Sequence, residues 1–412
     1  TRSDLASTLR QGGRSGGDGA AGFRSVLVTA QIALSMTLLV GAGLFIRSLM
    51  NVTNVDLGLN PDNVVSFELN PGQDGYGYDE TKDLFIRLEE RLAAIPGVTG
   101  VTASLVPVLA GSSWGNNVSV EGFEWSPGVD ANSRYTAVGP GYFGTLQVPL
   151  VSGREFTEAD RDGAPEVAII NEAFARKFGL DPRDAVGKFM ARGSGRDDLD
   201  VEIVGVIQDA KYSDVKDPPP AMFALPYRQL DGVDGLHLYL RTAADPDEAL
   251  RAIPGIVAEL DGDLLPEDLE SLDQTVRDNI VLDRLISSLS AAFAALATLL
   301  AAIGLYGVLT YTVAQRTREI GVRMALGAGG WNVRSMVLRE VTRMVLVGGF
   351  VGLAAALFLG RWTQSLLFGL EGVDPVVMTL VVVLMGGVAL LAGYLPARRA
   401  SSVDPMTALR YD

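Results

Sequence analysis

The sequence predicts a membrane α-helical fold of four transmembrane helices, joined to a large extracytoplasmic α+β domain that lies between the first helix and the second. Three observations predict it. Apolar residues make up 48% of the 412, and the mean hydropathy is +0.24, too apolar for one soluble globule. The excess is concentrated in four stretches, each near the roughly 20 residues that cross a hydrocarbon layer. Charge is segregated as well: residues 51–284 hold 19 Lys+Arg against 41 Asp+Glu, whereas the remainder holds 15 against 8.

The elements follow in chain order. Residues 1–24 are polar and Gly/Ser-rich around GGRSGGDG, which predicts a flexible cytoplasmic approach. Residues 25–47 form the first span. It carries Gln31, Ser35 and Thr37, polar groups that can bond to neighbouring helices in a bundle; a lone anchor would need none of them. The extracytoplasmic domain occupies 48–284 and the second span 285–314. Residues 315–340 are a charged cytoplasmic segment, 341–361 the third span, 362–374 a short outer loop, 375–395 the fourth span and 396–412 a cytoplasmic tail. The third span is the shortest in its apolar centre, Met344 to Leu359. Arg339, Arg343 and Arg361 bracket it and must extend it by snorkelling.

Within the extracytoplasmic domain two βαβ halves flank an insertion. Val64 to Leu69 alternates as a strand, Glu80 to Ile95 places Leu84, Leu88, Leu92 and Ile95 on one helical face, and Pro96 to Val98 turns into a second strand. Later, Leu236 to Arg241 alternates as a strand. Asp245 and Pro246 cap and start a helix to Leu260, and Leu269 to Leu272 reads as the returning strand. The halves are expected to pair in one mixed sheet. Between them, residues 114–225 read as an inserted α+β subdomain, with strands at Val167 to Ile170 and Glu202 to Ile207 and a helix from Asn171 to Phe178. The second span continues from this domain as one long helix, suited either to carrying rigid motion or simply to a tilted crossing.

Orientation follows from arginine placement. Arg2, Arg10, Arg14 and Arg24 precede the first span, Arg316, Arg318, Arg323 and Arg334 lie between the second and third, and Arg398, Arg399 and Arg410 follow the fourth. Basic residues near span ends stay cytoplasmic, so both termini and that loop are expected inside. Arg47 and Arg361 oppose the rule, although Trp362 fits an interfacial anchor. The chain opens on Thr1 and its first apolar run lacks a small-residue cleavage site, which suggests a piece of a longer protein.

Chemistry is bounded by what is missing. There is no cysteine, and His237 is the single histidine, so neither disulfides nor His/Cys zinc sites can be built. No G-x-x-x-x-G-K-[ST] loop occurs: Gly187-Lys188 runs into Phe189, and the glycines at 327 and 330 lack a lysine. The pairs Asp197/Asp198 and Asp261/Asp263 can bind calcium or serve acid/base chemistry, but in so acidic a domain a solvated surface explains them better. His237, in an alternating strand, has no nucleophile or ligand neighbour. No catalytic constellation, metal site or bound cofactor is predicted, and the acidic outer domain argues against nucleic acid.

One segment stands apart. RTREIGVRMALGA, Arg316 to Ala328, sets Glu319 four residues before Arg323 and places Ile320 and Met324 on an adjacent face. An apolar ridge among arginines suits a groove on another protein, and Gly321 and Gly327 permit close approach and a sharp exit. The alternative is a basic loop that merely fixes topology.

With these residues in view, the chain resembles the MacB/FtsX superfamily of ABC-transporter permeases, and in particular the C-terminal half of the duplicated orphan permeases of acidobacteria. The marks are LVTAQIALSMTLLVGAGLFIRSL, LNPDNVVSFEL, SGREFTEAD, VAIINEAFARKF, VEIVGVIQDAKYSDV, REIGVRMALGA and DPMTALRYD, in that order. The resemblance implies a non-enzymatic permease subunit of the inner membrane, with a periplasmic domain of porter-like βαβ halves. It implies an ABC ATPase subunit as partner, which would carry the ATP and Mg. The contact with it would be made by Arg316, Arg318, Glu319, Ile320, Gly321, Arg323, Met324, Leu326 and Gly327. A second permease module, either a fused N-terminal half or a second copy, and a periplasmic adaptor are further implied partners. The implied function is mechanotransmission: ATP-driven motion reaches the periplasmic domain to export or extract an amphiphilic substrate such as an antibiotic, a lipid-linked molecule or a peptide. An FtsX-like regulator that controls an extracytoplasmic partner without transport is the alternative. The Gly-rich start departs from the amphipathic helix of many relatives.

Overall fold

The computed structural model describes residues 5–317, 319, 322, 330–370 and 372–400. The chain divides into two compact units, Thr1–Thr53 with Leu282–Asp412, and Asn54–Val281.

In the second of these, β1 (Val64–Leu69), α2 (Tyr78–Ala93) and β2 (Val98–Ser104) form one half. β10 (Leu236–Thr242), α5 (Pro246–Leu260) and β11 (Glu267–Ser271) form the other. The strand order is β11-β1-β10-β2, so each half is split by a strand of the other, as in a βαββαβ arrangement. All of these pairings are antiparallel, which corrects the expectation that the halves make a mixed sheet. α2 forms because Leu84, Phe85, Leu88 and Leu92 recur at helical spacing and all are buried against the sheet. Glu80 accepts from the Gly77 N–H at 3.0 Å to close its first turn. α5 starts where the sequence places it: the Asp245 carboxylate accepts from the Asp247 N–H at 3.0 Å, and Ala249, Ile253 and Val257 line its buried face.

The stretch expected as an insertion contributes β3 (Gly115–Val120), β4 (Asn132–Val138), β5 (Leu150–Gly153), β6 (Val167–Asn171), β7 (Phe189–Arg192), β8 (Val201–Ile207) and β9 (Met222–Pro226), with the short helices α3 (Tyr142–Leu146) and α4 (Glu172–Lys177). Its pairings run β4-β3-β7-β8-β6-β9 and return from β9 to β4 in parallel register, so the strands close on themselves, with β5 attached to β8. Closure leaves no edge among those six strands. The ring joins the first sheet through a single register pair, Ser104 with Val138. Its interior is filled by Val118, Ile170, Met190, Ile203 and Phe223, and by Phe174 of α4 and Phe178 just after it, whose rings lie tilted with centroids 4.5 Å apart.

The other unit contains α1 (Leu5–Thr53), α7 (Val281–Gln315), α8 (Gly330–Trp362) and α9 (Pro375–Ala400). A short α6 (Leu272–Asn279) precedes α7 in sequence. Each of the four contains a segment long and apolar enough to cross a membrane. α1 begins at Leu5, so the described part of the Gly/Ser-rich approach is helical where flexibility was expected; extending an existing helix costs far less than nucleating one. Val28, Ile32, Met36, Val40 and Leu44 of α1 make its buried stripe. The polar residues of this span are used within the bundle. The Ser35 hydroxyl donates to the Ala297 carbonyl at 2.8 Å, the Thr37 hydroxyl donates to the Gly352 carbonyl at 3.0 Å, and Gln31 lies over Gly304.

The last turns of α1 hold the α8–α9 loop. Arg47 pairs with Asp374 at 2.8 Å, Ser48 accepts from the Phe368 N–H at 2.8 Å, and Asn51 donates to the Phe368 carbonyl at 3.3 Å. Asp374 also caps α9, accepting from the Val376 N–H at 2.8 Å. Arg47, an exception to the charge rule, is thus neutralised by its own partner.

Candidate coupling site

α7 ends at Gln315 because the apolar run stops there. The Arg316 N–H still bonds to the Thr312 carbonyl at 3.1 Å, and the Thr317 hydroxyl donates to the Val313 carbonyl at 3.0 Å. Arg316 and Glu340 rim one narrow crevice between α7 and α8, floored by Leu309, Val313 and Val337. Nearby aromatic rings fix two more arginines. Arg24 lies 4.2 Å over the Tyr311 ring, and Arg399 donates to the Tyr306 hydroxyl at 2.9 Å. Arg24, Arg316 and Arg399 therefore gather at one end of the helical unit, opposite the Arg47–Asp374 pair.

Of the residues expected to touch an ATPase, Arg316 and Glu319 are described, and both are exposed. Arg318, Ile320, Gly321, Arg323, Met324, Leu326 and Gly327 lie outside the described residues, and with them the Glu319–Arg323 pair. The sequence reading missed Trp331, which stands 73% exposed at the start of α8. An exposed tryptophan beside arginines is itself a contact signal.

The sheet unit contains a charged cleft of ≈ 720 Å³ between α2 and the turn at 158–162. Lys82 crosses it to Asp162 at 2.7 Å. Beside it Glu89 and Arg228 form a pair whose side chains are 10% and 9% exposed, with the Tyr227 hydroxyl donating to Glu89 at 3.1 Å. Burial raises the Glu89 carboxyl above the usual carboxylate range, although Arg228 and Tyr227 pull it down. These side chains tie α2 to the β9–β10 connection; no nucleophile and base are aligned among them. His237 sits 3.2 Å from Glu68, its imidazole pushed down by burial and drawn up by that carboxylate. Of the acidic pairs, Asp198 is held by Arg196 at 2.7 Å, and Asp261 accepts from the Tyr76 hydroxyl. Among the described residues no group of three or more His, Cys, Asp or Glu can hold a metal ion.

Two family models match the chain. A model of the MacB-like periplasmic core domain matches residues 25–256, and one of the FtsX-like permease C-terminal matches 291–405. The pyoverdine export ATP-binding/permease protein PvdT of Pseudomonas aeruginosa is 29% identical over 275 residues, 64% of this chain and 40% of PvdT. The macrolide export ATP-binding/permease protein MacB of Shigella boydii is 25% identical over 291 residues, 68% of this chain and 44% of MacB. The chain thus spans less than half the length of these curated relatives. The crystal structure of the periplasmic region of MacB from Actinobacillus actinomycetemcomitans aligns with 56% of this chain and 97% of its own, at 16% identity and a TM-score of 0.37. With one family model running from the first span through most of the sheet unit and the other over α7, α8 and α9, the chain belongs to the MacB/FtsX family of ABC-type permeases, multi-pass membrane proteins in which the domain between α1 and α7 is periplasmic.

Proposed function

We propose that the chain is the permease subunit of an export or extraction system of the bacterial inner membrane, both termini cytoplasmic, in which a separate ABC ATPase binds ATP and Mg and drives motion of the periplasmic domain. The observation that carries this reading is α7. It is a single helix of 35 residues, about 52 Å long, and it joins the end of the periplasmic unit to the start of RTREIGVRMALGA. Closure of an ATPase dimer against residues 315–340 would act on one end of this helix and reach the domain at the other. The names of PvdT and MacB, both export ATP-binding/permease proteins, support an ATPase partner and an export role. A second permease module, fused or a second copy, completes the assembly.

One observation points to a periplasmic protein contact and fits either reading. Trp114 and Trp125 stand 51% and 43% exposed on the periplasmic insertion, side chains suited to a protein contact, whether with an adaptor or with a regulated enzyme. Reconstitution of the full chain with candidate ABC ATPases separates the cases. Complex formation and ATP turnover should be lost in Glu319→Lys and Ile320→Asp. Binding unchanged in both variants would remove residues 315–340 from the contact. ATPase coupling with a stable periplasmic protein partner and no amphiphile flux would establish the regulator.

A further inference from the structure

We propose that the groove between α1, α7 and α9 holds one acyl chain of an anionic phospholipid from the periplasmic leaflet, with Arg284 taking its phosphate. This site lies away from the coupling segment and stands whether or not an ATPase binds there.

The groove measures ≈ 540 Å³ and is walled by Ala291, Ala294, Ala295 and Ala302 of α7, Gly43 of α1 and Leu384 of α9. It exists because α7 turns alanines to this side and large side chains such as Phe293 and Leu300, 60% and 55% exposed, elsewhere. Its length selects an occupant. From Ala291 to Ala302 the helix rises about 17 Å, roughly half the hydrocarbon thickness and so about one leaflet. The groove is open along one side, and an extended hydrocarbon chain can lie along it against apolar side chains. The wall makes no polar demand: its single hydroxyl, on Thr298, already donates to the Ala294 carbonyl at 2.7 Å.

Depth and charge choose the leaflet and the headgroup. Ile46 and Ala291, at one end of the groove, lie near the ends of α1 and α7 that lead to the periplasmic domain. Arg284 precedes Ala291 by two helical turns, on the same stripe of α7 and about 10 Å further out, at headgroup depth. It is exposed. Arg47, next to Ile46, is engaged by Asp374, so Arg284 is the cation at the mouth that matches a phosphate. A lipid role also accounts for a basic residue at a periplasmic end that the charge rule disfavours.

The test is photolabelling of the full chain in nanodiscs that contain phosphatidylglycerol bearing a mid-chain diazirine, with the labelled peptides mapped by mass spectrometry. Label should concentrate on 291–302 and 380–388 over Phe350 and Phe358, which are equally apolar and more exposed. Ala295→Leu, which obstructs the groove midway, should cut groove labelling several-fold and leave the control face unchanged. Arg284→Gln, outside the bundle, should lower it about fivefold for this probe and lower it less for a phosphatidylcholine probe, whose choline cation already offsets the shared phosphate. Even labelling of all lipid-facing helices, or labelling indifferent to both substitutions, overturns the proposal. So does ready disulfide linkage of two Ala295→Cys chains with the groove protected from the probe, which would give the face to a second copy.

Discussion

Asp160 shows what a family motif does at the scale of one side chain. In SGREFTEAD, Ser152 to Asp160, both carboxylate oxygens take the Arg154 guanidinium at 2.8 Å, and one also accepts from the Thr157 N–H at 2.8 Å. The carboxylate is 6% exposed, and charge-assisted pairs of this fork geometry are the strong ones. The other periplasmic motifs are joints of the same kind. In VAIINEAFARKF, Asn171 accepts from the N–H groups of Phe174 and Met222 at 2.9 and 3.0 Å, tying α4 to β9. In VEIVGVIQDAKYSDV, Asp209 accepts from the Ala173 N–H at 2.7 Å. Their presence was legible in the sequence, but the joints that Asn171 makes to Met222 and Asp209 makes to Ala173 were not, because those partners lie on other segments. Asp160→Asn should therefore destabilise the periplasmic unit by about 1.5–3 kcal/mol, the range for a hydrogen bond to a charged group, without touching ATPase binding. Its pH dependence has a definite sign. Burial pushes the Asp160 carboxyl up, but Arg154 and Thr157 outweigh it and leave the group below its ordinary value of 3.8. The stabilisation is thus present above pH 3.8 and is lost as pH falls through the lower folded-state value. Melting curves should show a gap between wild type and variant that is constant near neutrality and closes below pH 3.8; a gap that persists in acid would mean the carboxylate's charge does not matter.

At the scale of elements, the contact between α1 and α8 is set by two glycines one turn apart. A Cβ on Gly352 would lie 2.5 Å from the Ala33 carbonyl oxygen and 2.6 Å from the Met36 Cβ, and one on Gly348 would lie 2.8 Å from the Thr29 carbonyl oxygen. Small residues four apart let membrane helices approach this closely, and the Thr37–Gly352 hydrogen bond uses the approach. Gly349 between them meets only the end of the Met36 side chain at 3.8 Å. Gly352→Leu should cost about 1–3 kcal/mol or more as an overpacked contact, lowering the melting temperature in detergent, while Gly349→Ala stays near wild type. Equal effects at the two positions would show that helix propensity, not packing, is being read. The helices and the βαβ halves were legible because their patterns are local: apolar length for spans, alternation for β1 and β10, and a cap at Asp245. The closed ring of the insertion was not, since its closing pair, β4 with β9, joins Asn132–Val138 to Met222–Pro226, and no local pattern encodes a pairing between segments so far apart. The coupling residues were chosen from charge and from resemblance, and only Arg316 and Glu319 among them lie within the described structure.

Charge organises the whole molecule. The acidic block of residues 51–284 and the arginines elsewhere follow the sorting of a membrane protein, and the two arginines that broke the rule in sequence separate in the structure. Arg47 is neutralised by Asp374, whereas Arg361 stays exposed beside Trp362 at the end of α8. If Arg24, Arg316 and Arg399 mark the cytoplasmic end, Trp331 lies inside the cell and Leu265, 75% exposed, lies in the periplasm. The absence of cysteine makes this directly measurable, because any introduced thiol is unique. In spheroplasts a membrane-impermeant maleimide should label Leu265→Cys at once and Trp331→Cys only after the membrane is opened. Prompt labelling of Trp331→Cys would put the arginine-rich end outside, where no ATPase can reach Glu319, and the coupling proposal would fall with it. Protection of Trp331→Cys in intact spheroplasts, followed by loss of its labelling in opened membranes when a candidate ATPase is added, would place that partner on the segment after α7.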